Sequence, residues 1–164
     1  MTKSAMHSEV DIEIGLTQNE RSAVASGLSN VLADTFTLYL QTHNFHWNVE
    51  GPMFNPLHAM LMEQYTELWN ALDAIAERIR ALGVPAPATF SQFYELASIK
   101  EASGVPSAID MVRHLVKAHQ QAAITVRATH RVATAAHDEP TVDLLTQRLQ
   151  SHEKVAWMLR SLLK

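Results

Sequence analysis

Leu57-His58-Ala59-Met60-Leu61-Met62-Glu63-Gln64-Tyr65-Thr66-Glu67-Leu68-Trp69-Asn70-Ala71-Leu72-Asp73-Ala74-Ile75-Ala76-Glu77-Arg78-Ile79 contains no glycine, no proline and no alternating β-branched run, so it reads as one unbroken helix. Leu57, Leu61, Leu68, Leu72, Ile75 and Ile79 fall on one stripe, the face expected to enter a core. His58, Met62, Tyr65, Trp69, Asp73 and Ala76 fall on a second stripe, with Glu77 at its margin. A surface helix needs one buried seam. A second seam carrying an aromatic pair predicts packing against another chain.

The punctuation on either side sets the architecture. Gly51-Pro52 and Asn55-Pro56 mark a short turn before this helix, and Gly83-Val84-Pro85 stops it after Leu82. Upstream, Thr17-Gln18-Asn19-Glu20 reads as a capping box, and only Gly27 interrupts helical sequence from there to about Asn48. Leu28, Leu32, Thr35, Tyr39, Thr42 and His46 make its 3-4 stripe. His46 comes 18 residues, five turns, after Leu28, so it points where the apolar face points. Downstream, Gly83 to Pro106 is too long for a tight bundle loop, and Ser91–Leu96 within it is expected as a short helix. Ser107-Ala108-Ile109-Asp110, read as another capping box, opens a helix to about Ala136. Asp138-Glu139-Pro140 opens the last one, which ends near Trp157, Leu159, Leu162 and Leu163. The expectation is an all-α four-helix bundle over residues 17–164, with a long crossover between the second and third helices, behind a flexible tail over 1–16.

Composition narrows the function. The 164 residues are 47% apolar and 18% charged, enough to bury one core without a staple. The absence of cysteine excludes disulfide scaffolds, thiolate zinc sites and thiol catalysis. No run approaches the roughly 20 apolar residues of a membrane span. The N-terminus has no apolar h-region, so a cytoplasmic protein without membrane contact is expected. The net charge is -4 with nine histidines counted neutral, and Lys3 stands against Glu9, Asp11 and Glu13 in the tail. Such a tail repels phosphate, which makes direct DNA binding doubtful.

The polar members of the second stripe suggest a metal. His58 lies 15 and 19 residues before Asp73 and Glu77, about 22–28 Å along the axis, too far to share one ion within a chain. Two copies packed antiparallel about a twofold axis near Glu67 would set His58 of one beside Asp73 and Glu77 of the other, giving two equivalent sites. His46 lies across the short turn from His58 and would complete each site. Imidazole and carboxylate without thiolate suit iron, manganese or zinc better than copper(I) or a cluster. The alternative reading is a structural histidine and an exposed i,i+4 acid pair.

The run His43-Asn44-Phe45-His46-Trp47-Asn48-Val49-Glu50-Gly51-Pro52-Met53-Phe54, then Leu57-His58, Tyr65, Asp73-Ala74-Ile75-Ala76-Glu77-Arg78 and the ending His152-Glu153-Lys154-Val155-Ala156-Trp157-Met158-Leu159-Arg160, resembles the Dps mini-ferritins, the DNA-binding proteins from starved cells. The resemblance runs over essentially the whole chain. It implies a ferritin-like bundle assembled as a hollow homododecamer that oxidises Fe(II), preferentially with hydrogen peroxide, and stores ferric mineral, so protecting against oxidative stress. It implies His46 and His58 as ligands from one subunit, Asp73 and Glu77 as ligands from its neighbour, and Trp47 as a candidate radical trap. Zinc or manganese are alternative occupants.

One position departs from the family. Where the family usually has an acidic ligand one turn after the second histidine, this chain has Met62, a soft neutral donor ill-suited to ferric iron. Glu63, about 100° round the helix, and His43, one turn before His46, are the candidate substitutes, and packing beside Trp69 is the structural alternative for Met62. The competing functional reading is a nucleoid DNA-compacting protein with little ferroxidase activity because of Met62. No Asp or Glu has a histidine three residues later, which disfavours a di-iron centre inside one bundle. Glu139 and Asp143 either line a threefold iron-entry pore, as the resemblance implies, or complement the helix dipole. His114, His119, His130, His137 and His152 share no evident face and are expected to be solvated or to make local hydrogen bonds.

Overall fold

The computed structural model describes residues 11–164. Its elements, all helical, are α1 (Gln18–Asn48), α2 (Phe54–Ala81), α3 (Phe90–Leu96), α4 (Ala108–Ala135) and α5 (Glu139–Ser161). Helices α1, α2, α4 and α5 form the bundle, and α3 lies in the crossover against α1. No described helix is long and apolar enough to cross a membrane.

Local chemistry sets the helix starts. At α1 the Thr17 hydroxyl accepts from the Glu20 amide, and the Glu20 carboxylate accepts from the Thr17 amide at 2.8 Å. Thr89 and Gln92 make the same reciprocal pair at α3. Ser107 caps α4, but Asp110 bonds the Ser107 hydroxyl at 2.7 Å and Arg113 at 2.8 Å, so only half of the expected box forms. The aspartate chain is one methylene shorter than the glutamate the motif uses.

The core has two connected halves. Phe45, Leu57, Leu61, Leu115 and Leu159 fill the end near the α1–α2 turn. Leu28, Ile75, Ile79, Val126 and Leu145 fill the other. Each such fully buried side chain contributes about 1.5–3 kcal/mol. Gly27 sits inside α1 because α4 passes close by: a Cβ there would lie 2.7 Å from the Thr129 methyl.

The crossover is fastened by Asp34 of α1, which is 1% exposed. Its carboxylate accepts from the Ser98 amide at 2.6 Å, the Ile99 amide at 3.0 Å and the Thr125 hydroxyl of α4 at 2.6 Å. Arg78 of α2 donates to Asp138 at 2.6 Å and Thr141 at 2.8 Å, tying the end of α2 to the start of α5. Residues 1–10 of the expected tail lie outside the described residues. Within the remainder, the Arg21 guanidinium donates to the carbonyls of Ile12 at 3.2 Å and Leu16 at 2.9 Å.

Candidate metal centre

The last turn of α1 and the first turns of α2 meet across the short connection, and each supplies one imidazole. The rings of His46 and His58 stack with centroids 3.7 Å apart at 18°. His46 Nδ1–H donates to the His58 carbonyl at 2.8 Å, and His58 Nδ1–H donates to the His46 carbonyl at 2.8 Å. The His46 carbonyl is among the last four of α1 and has no amide partner of its own, so His58 satisfies a helix-end acceptor. Only an Nδ1–H can donate to a carbonyl. Both rings are therefore neutral Nδ1–H tautomers, or imidazolium, and in the neutral form each Nε2 carries a free lone pair. Backbone-anchored Nδ1–H with bare Nε2 is the arrangement that orients a metal-binding histidine.

Aromatic rings wall the pair. Phe54 stacks on His58 at 5.0 Å, and Tyr65 meets His46 edge-on at 5.1 Å. His43, one of the candidate substitutes for the missing acid, stacks on Tyr65 at 3.9 Å and packs on Trp47 at 4.0 Å, with its Nδ1 bonded to the Tyr39 hydroxyl at 3.2 Å. Burial, then the neighbouring His46, pushes the His43 pKa down. Trp47 is 63% exposed.

The second stripe of α2 is only partly covered by its own chain, with His58, Tyr65 and Ala76 half-buried. Met62 is 48% and Trp69 57% exposed, and Asp73 and Glu77 are exposed as well. Asp73 borders an apolar groove, about 500 Å³ in volume, that also includes Trp69, Phe36 and Phe93. Along α2, Asp73 and Glu77 stand about 22 and 28 Å from His58, and among the described residues no three His, Asp or Glu side chains converge in one chain. The structure thus brings His46 and His58 together and leaves Asp73 and Glu77 remote from them.

Glu63 faces a different groove, between α2 and α5, with Gln64, Glu67 and Lys154, and so points away from the His46–His58 pair it was expected to assist. Glu67, the expected level of the twofold axis, turns its side chain to Arg148 of α5. Glu139 and Asp143 are exposed at the start of α5, where Asp143 accepts from Gln147 at 2.8 Å. The expectation for the remaining histidines fails at two positions. His119 and His152 are 2% and 1% exposed and bond one another through Nδ1 at 3.1 Å. The signal lay in their neighbours: His119 shares a stripe with Leu115, Ala122 and Val126, and His152 with Leu145, Ala156 and Leu159.

Four long helices, a crossover between the second and third, and an imidazole pair where the first two helices meet define the ferritin-like class of bundle. The ferritin-like domain family matches residues 25–164. An uncharacterized low temperature-induced protein of Nostoc sp. is 41% identical over 155 residues, covering 93% of this chain and 87% of that protein. A DNA protection during starvation protein of Brevibacillus brevis is 40% identical, covering 86% and 95%. Among solved structures, the Dps protein of Vibrio cholerae O1, described as a member of a broad superfamily of ferritin-like diiron-carboxylate proteins, is 31% identical with a TM-score of 0.90, covering 96% of this chain and all of that one. The chain belongs to the Dps mini-ferritins of the ferritin-like family.

Proposed function

We propose that this protein oxidises and stores iron. Ferrous iron is its substrate, bound between His46 and His58 of one subunit and Asp73 and Glu77 of a neighbour in a closed homo-oligomer, which the family resemblance puts at a dodecamer. The observation that carries this reading is the reciprocal Nδ1–H donation of His46 and His58 to each other's carbonyls, which stacks the two rings 3.7 Å apart and leaves Nε2 of each neutral ring free to bind a metal. The exposed part of the second stripe, Met62, Trp69, Asp73 and Glu77, supports a second subunit as the source of the carboxylates.

With hydrogen peroxide as oxidant, two ferrous ions each give up one electron, the O–O bond breaks, and with two waters the products are two ferric oxyhydroxide units and four protons. The imidazoles and carboxylates orient the ions, and the carboxylate charge favours the ferric state. Zinc or manganese fits the same donors. The reaction removes ferrous iron and peroxide together, which limits hydroxyl-radical formation. DNA protection, which its name assigns to the Brevibacillus relative, would reach this chain by that route rather than through phosphate contact, since the net charge is -4.

Stopped-flow oxidation of ferrous iron by peroxide tests the reading. His46→Ala, His58→Ala and Asp73→Asn should each slow it severely, and mixing His58→Ala with Asp73→Asn subunits should restore a fraction of sites. Unchanged rates in all three variants would refute the assignment.

A further inference from the structure

A second imidazole pair lies in the middle of the bundle, away from the metal centre. His119 of α4 and His152 of α5 have Nδ1 atoms 3.1 Å apart and ring centroids 5.3 Å apart at 54°. Two neutral rings make that bond only as opposite tautomers. One ring donates Nδ1–H and keeps a bare Nε2, and the other accepts and carries its hydrogen on Nε2. Neither Nε2 has a partner in the fold.

The surroundings offer an added proton little. From α2, Glu67 is the facing anion, but Arg148 of α5 holds both of its oxygens. Arg148 itself is 7% exposed, with its Nε unpartnered. Glu63 of α2 and Lys154 of α5 lie with Glu67, Gln64 and His119 around a cavity of about 270 Å³ between those helices. The buried carboxylate of α1, Asp34, is taken by Ser98, Ile99 and Thr125. On α4 and α5 themselves, Leu115, Ala118, Ala122, Ala156 and Leu159 are buried. A third ring proton would therefore be a cation on rings only 2% and 1% exposed, set beside a guanidinium.

We propose that His119 and His152 form an acid-sensitive latch between α4 and α5, closed while the pair is uncharged and opened, with release of α5 from the bundle, when the pair takes up protons. Burial is the largest reason both rings resist protonation. His152, Arg148 and burial outweigh the Glu67 charge at His119, and burial with Arg148 pulls His152 down to about 3. In an open or unfolded chain each ring titrates near 6.5. The folded values are lower, so stability is full above about pH 6.5 and is lost as pH falls below it. Each histidine raises the open-to-closed ratio about tenfold per pH unit, about a hundredfold for the pair. Folded carboxylates held low, such as Glu67 and Asp138, act only below this window. His43 adds its own slope, so the comparison needs a variant that keeps it.

The test is hydrogen exchange by mass spectrometry on the assembled full chain between about pH 8 and pH 5. Histidine C2 exchange should be slow at His119 and His152, with no inflection near pH 6.5. Backbone protection of residues 115–122 and 148–159, corrected for intrinsic rates, should fall as pH drops below about 6. The double variant His119→Phe/His152→Leu, which removes both partners together and strands neither, should keep that protection. Titration of the pair near 6.5 with protection intact would overturn the latch, as would loss of protection in the double variant at the same pH. Should the variant fail to assemble, C2 exchange of the native protein decides alone.

Discussion

Replacing Asp34 by alanine should unfasten the crossover. The carboxylate accepts three hydrogen bonds, from the Ser98 and Ile99 amides and the Thr125 hydroxyl, and bonds to a charged acceptor are worth about 1.5–3 kcal/mol each. The simple sum, about 5–9 kcal/mol, overstates the loss. Ser98 is exposed, so its amide regains water, and the Thr125 hydroxyl falls back on the Gln121 carbonyl, 3.3 Å away. The Ile99 amide, in a residue 5% exposed, has no such recourse. The net cost is about 3–4 kcal/mol, which for a chain of this size lowers Tm by about 6–16 °C. Asp34→Asn keeps one acceptor oxygen and should cost about 1–2 kcal/mol. Thermal unfolding followed by circular dichroism at one fixed protein concentration measures both. Because the crossover contributes Ala86, Pro87, Ala88 and Phe93 to the groove beside Asp73, Asp34→Ala should also slow ferrous oxidation. A loss under about 1 kcal/mol for alanine, or equal losses for alanine and asparagine, would refute the assignment of Asp34 as the fastener.

Met62→Asp should accelerate peroxide-driven ferrous oxidation on the order of tenfold, because it adds an anionic oxygen donor one turn from His58; an unchanged stopped-flow rate would mean that Met62 does not limit the site. Arg78→Met should cost about 3 kcal/mol in urea unfolding at neutral pH, since it strands the Asp138 carboxylate, 2% exposed, without its cation. Burial alone would raise the Asp138 pKa, but the Arg78 guanidinium and Thr141 outweigh it and hold it below the usual range. That stabilisation is present above about pH 3.9 and fades as pH falls through the lower folded value, so the variant should show a flatter acid limb below about pH 4.

Much of this molecule is legible in one dimension. Of the expected stripe, Leu57, Leu61, Leu68, Ile75 and Ile79 are buried and Leu72 is half-buried, and Thr17 with Glu20 starts α1 as a capping box. These features depend on contacts within a few residues, so periodicity and side-chain reach decide them. The second stripe was also readable, because apolar and aromatic residues about 100° round the helix from a complete core face, such as Met62 and Trp69, stay exposed in a single chain. Local rules failed where side-chain length mattered, as at Ser107 and Asp110, where the carboxylate bonds the hydroxyl instead of the amide.

By itself the sequence determined an all-helical bundle, its crossover and the spacing of His46, His58, Asp73 and Glu77. The tautomers of His46 and His58 were decided only in three dimensions, because each ring is fixed by a carbonyl twelve residues away on another helix. Tertiary structure also turned Glu63 toward the α2–α5 groove and paired His119 with His152 across 33 residues of sequence. The physical reason is common to all three. Helical spacing tells which way a side chain points, while the partner that sets its proton, charge or ligand is supplied by whichever helix the fold lays against it.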